Sequence, residues 1–170
     1  VAADLPERID IDIPLELGAD LAAEYTKVLD ETIEKYPNAG ALVATGQLQI
    51  FCAHPWLRTS EAIGPDQYDD DLPLDRDAHI PLITPKLEHT VSLLNEAFST
   101  GRKVLVFAIF NRCGELIREA CRDLPEAYWA AINGSVPPPD RQIIVDEFTA
   151  HDGPGCLILN PKAAGTGLNI

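Results

Sequence analysis

The first half of the chain shows one strand-like and two helix-like patterns of apolar positions. Residues 7–13 alternate charged and apolar side chains, which is the period of a half-exposed strand. Apolar residues at helical spacing then predict a helix that Asp20 caps and Pro37 ends. Residues 42–52 are apolar enough for a second helix, and residues 54–57 close this part of the chain.

The second half alternates helices with strands. Thr84, Asn111 and Asp140 are suitable N-caps for three helices, each followed by apolar residues at helical spacing. An unbroken apolar run indicates that the first strand is buried on both faces. The predicted strands are residues 103–110, 128–132 and 156–159. This alternation indicates right-handed crossovers, so we expect an α/β fold with a doubly wound parallel sheet.

One stretch in the second half has two interpretations. Residues 143–148 resemble a strand that carries an acid at Asp146, as in the metal-binding strand of a nucleotide hydrolase. The helical spacing of Ile144 and Phe148 behind the cap at Asp140 favours a helix instead. The sequence also contains no GxxxxGK[ST] phosphate loop that would accompany such a strand.

The length and composition are those of a globular domain. A chain of 170 residues is large enough for one core, and a hydrophobic fraction of 46% argues against disorder. No apolar run approaches the roughly 18 residues that a membrane helix needs, and no signal peptide opens the sequence. There is no methionine, even at position 1, so we expect an internal piece of a longer protein.

Acidic residues are concentrated in the first half. The net charge is −14, of which residues 1–90 contribute −12 and residues 91–170 contribute −2. A chain this acidic is a poor candidate for a basic-patch nucleic-acid binder, but its nearly neutral second half can still carry a few phosphate contacts. Residues 58–83 are acidic and rich in proline, and we interpret them as a linker between residues 1–57 and residues 84–170.

The cysteines do not form a metal-binding pattern. Cys52, Cys113, Cys121 and Cys156 contain no CxxC motif, and no histidine lies at zinc-site spacing from them. We interpret them as reduced, buried residues of an intracellular protein without a structural zinc. The lack of clustered ligands also disfavours a metal or redox enzyme.

Small and amide residues follow each predicted strand of the second half. Residues 111–112 follow the first strand, residues 133–135 the second and residues 160–169 the third. Because the carboxyl ends of parallel strands meet at one edge of a sheet, we expect these loops to face the same edge. Their backbone N–H groups can hold a phosphate without a large positive charge. Taken singly, each loop also fits an ordinary turn.

Several motifs occur in a fixed order along the chain. They comprise a cysteine-any-histidine-proline tetrad, a Lys-Leu pair, a Lys-Val-Leu-Val-Phe strand, a Gly-Ser pair followed by arginine and phenylalanine, and a lysine-alanine-alanine-glycine segment ending in Gly-Leu-Asn. The segments are residues 52–55, 86–87, 103–107, 134–135, 141, 148 and 162–169. In this order they resemble the Swi/Snf-type helicase-like ATPases, the double-stranded-DNA translocases of helicase superfamily two. The resemblance covers most of the chain outside the acidic linker.

This resemblance implies a fold and two groups of site residues. The implied fold is the RecA-like C-terminal lobe of a helicase, incomplete at its C-terminal end because the sequence stops at Ile170 inside the last motif. The ATP-cleft and coupling residues implied are Gly165, Thr166, Gly167 and Asn169. The nucleic-acid contacts implied are Lys162, Gly134, Ser135, Arg141 and Asn111. The family's glutamine after the first strand is replaced by Ile109-Phe110-Asn111, which departs from the pattern at that DNA contact.

The resemblance also implies an activity and its partners. The full-length protein would be a DNA-dependent ATPase, whereas this fragment alone would be inactive and holds no catalytic residue. ATP and Mg²⁺ would be bound mainly by a first RecA-like lobe of the same protein. The expected partners are double-stranded DNA, that first lobe and further proteins, in a bacterial cytoplasm or a eukaryotic nucleus, with no membrane association.

Two other functions remain open on the sequence. One is an RNA-directed helicase of the same superfamily, since phosphate contacts carry no sequence information. The other is a non-enzymatic RecA-like interaction domain whose acidic first half docks a basic partner. The paired glycines Gly165 and Gly167 and the tetrad at residues 52–55 favour the DNA translocases.

Overall fold

The computed structural model describes residues 9–58 and 73–164. Two helices and a short 3-10 turn come first, and helices alternate with strands after them. In chain order the elements are α1 (Ala19–Lys35), α2 (Gly40–Ala53), the 3-10 turn (Pro55–Leu57), α3 (Pro85–Ser99), β1 (Lys103–Phe107), α4 (Cys113–Ala120), β2 (Tyr128–Ile132), α5 (Pro138–Ala150), β3 (Gly155–Leu159) and α6 (Pro161–Ala164).

The three strands form an open parallel sheet in the order β1-β3-β2. The connection through α4 therefore crosses the sheet in one direction, and the connection through α5 returns in the other. Crossovers of the same hand that run in opposite directions place their helices on opposite faces. The α/β class and the parallel sheet are confirmed, and so is the helical state of residues 143–148 within α5.

Two apolar clusters cover the two faces of the sheet. One is built by α2, α3, α4 and the 3-10 turn, with Phe98 packed edge-on against Trp129 of β2 at 5.6 Å between ring centroids. The other lies under α5, where Val145 and Phe148 meet Leu157 of β3. Helices thus cover both faces, as expected for a doubly wound sheet.

The strand buried on both faces is β3, in which all five residues are buried. A strand forms within the predicted residues 103–110, but the prediction that it is buried on both faces was wrong. β1 ends at Phe107, and its residues alternate between exposed and half-buried. The reason is its place at the sheet edge, where Leu105 shares a face with Leu157 but lies outside the cover of α5 and is 39% exposed.

The alternating segment near the start of the chain is not a strand over its described residues. Residues 9–18 have no regular structure, and Ile9 and Ile11 are 79% and 75% exposed. Alternation predicts which side chains share a face, but a strand also needs a partner for its backbone groups. Within the described parts of the chain, no strand pairs with this segment.

The predicted helices occur, but three of their caps lie elsewhere. α2 confirms the helix predicted at residues 42–52, and Thr84 is the N-cap of α3. The N-caps of α1, α4 and α5 are Gly18, Arg112 and Pro137 instead of Asp20, Asn111 and Asp140. Both aspartates lie in the first turn, where the helix dipole also favours a carboxylate.

Residues 73–84 pack against the cluster that contains α2 and α4. The Asp75 N–H donates to the Trp56 carbonyl at 2.9 Å. The Arg76 guanidinium lies 5.0 Å from the centroid of the Trp56 ring and makes two hydrogen bonds, of 3.1 and 2.7 Å, to Glu119 of α4. The rest of the predicted acidic linker, residues 59–72, lies outside the described residues, and the domain boundaries stay a prediction. Over the described residues, no helix has the length and apolarity to cross a membrane.

Candidate nucleic-acid interface

The loops that follow the three strands leave the sheet at one edge. Phe107 and Ile132, the last residues of β1 and β2, both pair with Leu159, the last residue of β3. This agrees with the expectation from parallel topology. We call the segments that begin here the edge loops: residues 108–112, 133–137 and 160–164. The third of them includes the single helical turn α6.

Asn160 joins the ends of all three strands. Its N–H donates to the Ile132 carbonyl at 2.9 Å. Its side-chain Nδ2 donates to the Ile109 carbonyl at 2.9 Å and to Asn111 Oδ1 at 2.7 Å, while its Oδ1 accepts from the Lys162 N–H at 2.9 Å. Asn160 was not predicted as a site residue, although its place directly after the most buried strand was a usable signal.

Arg141 of α5 ties the second edge loop to the third. Its Nε donates to the Val136 carbonyl at 2.9 Å, and its Nη1 donates to the Ala163 carbonyl at 2.7 Å. The side chain is half-buried. Two of its donors are therefore aimed at backbone oxygens of two different loops.

The second edge loop is organised by Asn133. Its Oδ1 accepts from the Ser135 N–H at 3.0 Å and from the Ser135 hydroxyl at 2.6 Å, a side-chain turn that Asn favours. Gly134 and Ser135 are exposed, and the space beside the Gly134 Cα is open. This turn therefore stands at the protein surface in a fixed shape.

Cationic side chains line two cavities that residues of the edge loops border. A cavity of about 850 Å³ has apolar walls, with Lys86 and the exposed Lys162 in its lining. A smaller cavity of about 470 Å³ is lined by Arg112, Arg118 and Ser135, among others. Arg112 also forms an ion pair with Glu115 at 2.7 Å. The edge is thus locally basic in a strongly acidic chain.

The predicted site residues fall into two sets. The nucleic-acid set lies in or against the edge loops: Asn111, Gly134, Ser135, Arg141 and Lys162. Its assignment to nucleic acid stays a prediction. The ATP-cleft set lies outside the described residues: Gly165, Thr166, Gly167 and Asn169.

The donors at this edge suit phosphate oxygens better than a metal ion. Backbone N–H groups, amides, lysines and arginines donate hydrogen bonds and carry positive charge. Within residues 9–58 and 73–164, no three His, Cys, Asp or Glu side chains lie close enough to hold a metal. The described residues therefore fit an anion at the edge loops.

The four cysteines are free thiols, but only two are buried. Burial raises the pKa of Cys121 to about 11 and that of Cys156 to about 12, so both remain protonated at neutral pH. Cys52 is exposed and Cys113 is half-buried. The expectation of burial was therefore wrong for these two, which line the larger cavity beside the edge loops.

His54 is buried with both ring nitrogens engaged. Nδ1 accepts from the Trp56 N–H at 3.1 Å, so the ring proton lies on Nε2, which donates to the Leu82 carbonyl at 2.9 Å. Burial lowers the pKa of His54, and the hydrogen bond to Leu82 offsets this in part. A neutral His54 therefore fixes residues 73–84 to the end of α2.

Comparison with known proteins gives matches along the whole chain. No family model matches the sequence. It is 26% identical over 177 residues to the mouse protein named SWI/SNF-related matrix-associated actin-dependent regulator of chromatin subfamily A member 1, covering 100% of this chain and 16% of that protein. It is 25% identical over 177 residues to the putative ATP-dependent helicase/translocase YwqA of Bacillus subtilis, covering 100% and 18%.

A third relative comes from yeast. The chain is 28% identical over 155 residues to the ISWI chromatin-remodeling complex ATPase ISW1 of Saccharomyces cerevisiae, which covers 86% of this chain and 13% of that protein. The chain thus spans less than a fifth of the length of these relatives.

Proposed function

We propose that this chain is a Swi/Snf-type helicase-like domain of helicase superfamily two and part of the second RecA-like lobe of an ATP-dependent double-stranded-DNA translocase. The observation that carries the proposal is the match along 100% and 86% of this chain to proteins named as a helicase/translocase and as a chromatin-remodeling ATPase, respectively. In this proposal residues 84–170 belong to the lobe, residues 1–57 lead into it, and residues 58–83 connect them.

The edge loops are the proposed contact with the DNA backbone. Lys162 supplies a charge for a phosphate, and the exposed turn at Gly134 and Ser135 lets the DNA backbone approach closely. The Ser135 hydroxyl donates to Asn133 Oδ1 and would turn from it to donate to a phosphate oxygen. Asn111 and Arg141 complete the same edge through their contacts with neighbouring loops. Such contacts fix a protein on a duplex without reading its sequence, which suits movement along DNA.

ATP and Mg²⁺ are assigned mainly to a first lobe outside this chain. Hydrolysis by such motors needs a phosphate loop with its lysine and an acid that holds the metal. The sequence has no phosphate loop, and the described residues offer no metal-binding cluster. We therefore expect the isolated chain to be inactive. From the resemblance of residues 162–169 to the family's motif, we assign Gly165, Thr166, Gly167 and Asn169 to this lobe's side of the ATP cleft.

Coupling between the two sites follows from closure of the lobes. Closing a cleft around a ligand moves one rigid body against another. If ATP closes the two lobes while each holds the duplex backbone, one lobe advances along the DNA. The protein would act where DNA is found, in a bacterial cytoplasm or a eukaryotic nucleus, and with further protein partners.

The test is ATPase activity of the full-length protein with no nucleic acid, with duplex DNA and with single-stranded RNA. We expect stimulation by duplex DNA and no hydrolysis by the isolated chain, which serves as the matched control. Stimulation by RNA alone would contradict the DNA substrate and favour an RNA-directed helicase. No hydrolysis under any condition would contradict the motor and favour an interaction domain.

A further inference from the structure

We propose that Arg141 and Asn160 are positioning residues that lock the edge loops together, so that contact with DNA is coupled to ATP hydrolysis. This inference rests on the proposed translocase function, but the lock itself is a property of the fold. Its basis is a set of hydrogen bonds that joins the three loops and runs almost entirely to backbone groups.

The Arg141 guanidinium links two of the edge loops. Nε and Nη1 reach carbonyls of Val136 and Ala163, residues of two loops that follow different strands. The planar guanidinium holds these two donors in a fixed fork, which the single ammonium of lysine cannot reproduce. A lysine here keeps the charge but cannot make both hydrogen bonds. Arg141 therefore acts on the DNA through the loops that it holds.

Asn160 needs both atoms of its amide. Its Oδ1 accepts a hydrogen bond from the Lys162 N–H. Its Nδ2 donates to the Ile109 carbonyl and to Asn111 Oδ1. Aspartate has nearly the same shape and keeps the acceptor, but it cannot donate when ionised. It would also turn a negative charge toward the Ile109 carbonyl and the Asn111 oxygen. Asn160→Asp therefore breaks the link between the first and third loops with little change in volume.

The two residues hydrogen-bond to neighbouring backbone groups of the same short segment. Asn160 holds the N–H of Lys162, and Arg141 holds the carbonyl of Ala163. In the sequence this segment leads directly to Gly165 and its neighbours, which we assign to the ATP cleft. It also carries Lys162, which we assign to DNA. A segment placed between two sites couples them only if its own position is fixed.

Hydrogen exchange tests the lock independently of activity. In the full-length protein, we expect Arg141→Lys and Asn160→Asp each to speed amide exchange in residues 162–164 about tenfold, the effect of one lost hydrogen bond. Arg102→Lys is the matched control, because Arg102 is exposed beside the amino end of β1. Unchanged exchange in both variants would overturn the lock.

Kinetics test the coupling. With wild-type protein showing duplex-stimulated ATPase, we expect Arg141→Lys to lower the stimulated kcat roughly 10- to 100-fold, as small misplacements of reacting groups do. The slope of log affinity against log salt should stay unchanged, since no charge is lost. Arg141→Lys thereby distinguishes a positioning role from a phosphate contact, because lysine could still make most of a phosphate contact but could not position both loops.

The outcomes of these experiments test the positioning role of Arg141 and the proposed function separately. Normal kcat in Arg141→Lys, with Arg141→Gln lowering the salt slope by about one, would overturn the positioning role in favour of a phosphate contact. Absence of duplex stimulation in the wild-type protein would overturn the proposed function and, with it, the coupling role. Faster exchange at residues 162–164 together with a lower duplex-stimulated kcat in Arg141→Lys would support the proposal.

Discussion

The two hydrogen bonds of His54 require a neutral imidazole. Protonation would place a hydrogen on Nδ1, where the Trp56 N–H now donates, and the ring is almost fully buried. The charged groups that face it are Arg76, which opposes protonation, and Glu119, which favours it. Those two groups also hydrogen-bond to each other, so their effects on the ring largely cancel. Burial therefore decides the direction of the pKa shift.

Acidification should release residues 73–84 from the end of α2. Because the pKa of His54 in the folded state lies below its ordinary value of about 6.5, an opened state takes up the proton first as the pH falls. The stabilisation is complete above that value and is lost as the pH falls below it. We expect protection of the Asp75 amide against exchange, corrected for the intrinsic rate, to fall between about pH 7 and 5.

Two variants check that His54 causes this change. In His54→Gln, protection of the Asp75 amide should no longer fall at low pH. The variant should also lose about 1–3 kcal/mol of local stability, because the buried Trp56 N–H and Leu82 carbonyl lose their hydrogen-bond partner. His79→Gln, at an exposed turn, should keep the pH dependence of the wild-type protein. The same pH dependence in His54→Gln would assign the effect to another group.

At the scale of elements, position in the sheet decides how much each strand contributes. β1 and β3 are both strands of five residues, each with four consecutive apolar residues after the first, and Leu105 pairs with Leu157. Leu157 is fully buried, whereas Leu105 is 39% exposed. Strand order arises from crossovers between distant segments, so no local pattern could predict which run is central.

A pair of truncations should measure this difference. Leu157→Ala is expected to lower the free energy of unfolding by about 2–5 kcal/mol, because it leaves a cavity beneath α5. Leu105→Ala, its register partner, should cost less than about 1 kcal/mol. Urea denaturation of the two variants and the wild type gives the comparison. Equal costs would contradict the assignment of β1 as a partly exposed edge strand.

Local patterns predicted the kinds of element but few of their long-range contacts. Helical spacing and the alternation of helices with strands were enough to predict α1 to α5, all three strands and the shared edge of the loops. Three caps were displaced by one to three residues; in α1 and α5 the predicted aspartate lies in the first turn, where the helix dipole also favours it. The contacts of Asn160 and Arg141 join residues about 20 to 50 positions apart, so the sequence could place these side chains at the edge without pairing them.

At the scale of the whole molecule, the charges are separated. The first half carries a net charge of −12, and the edge loops with their flanking cavities carry Lys86, Lys162, Arg112 and Arg118. Coulomb repulsion would keep a DNA backbone away from the acidic part and leave the edge as the favourable approach. Binding of this kind involves few phosphates and depends on salt in proportion to their number.

Replacing Lys162 should therefore remove one phosphate contact and little else. We expect Lys162→Gln in the full-length protein to weaken duplex binding alike for all sequences and to reduce the slope of log affinity against log salt by about one. Lys27→Gln on α1, which removes the same charge from the acidic half, should leave the slope unchanged. Equal slopes for Lys162→Gln and wild type would mean that Lys162 does not touch the backbone. The DNA contact would then have to lie outside the third edge loop, because Lys162 is the one cation among residues 160–164.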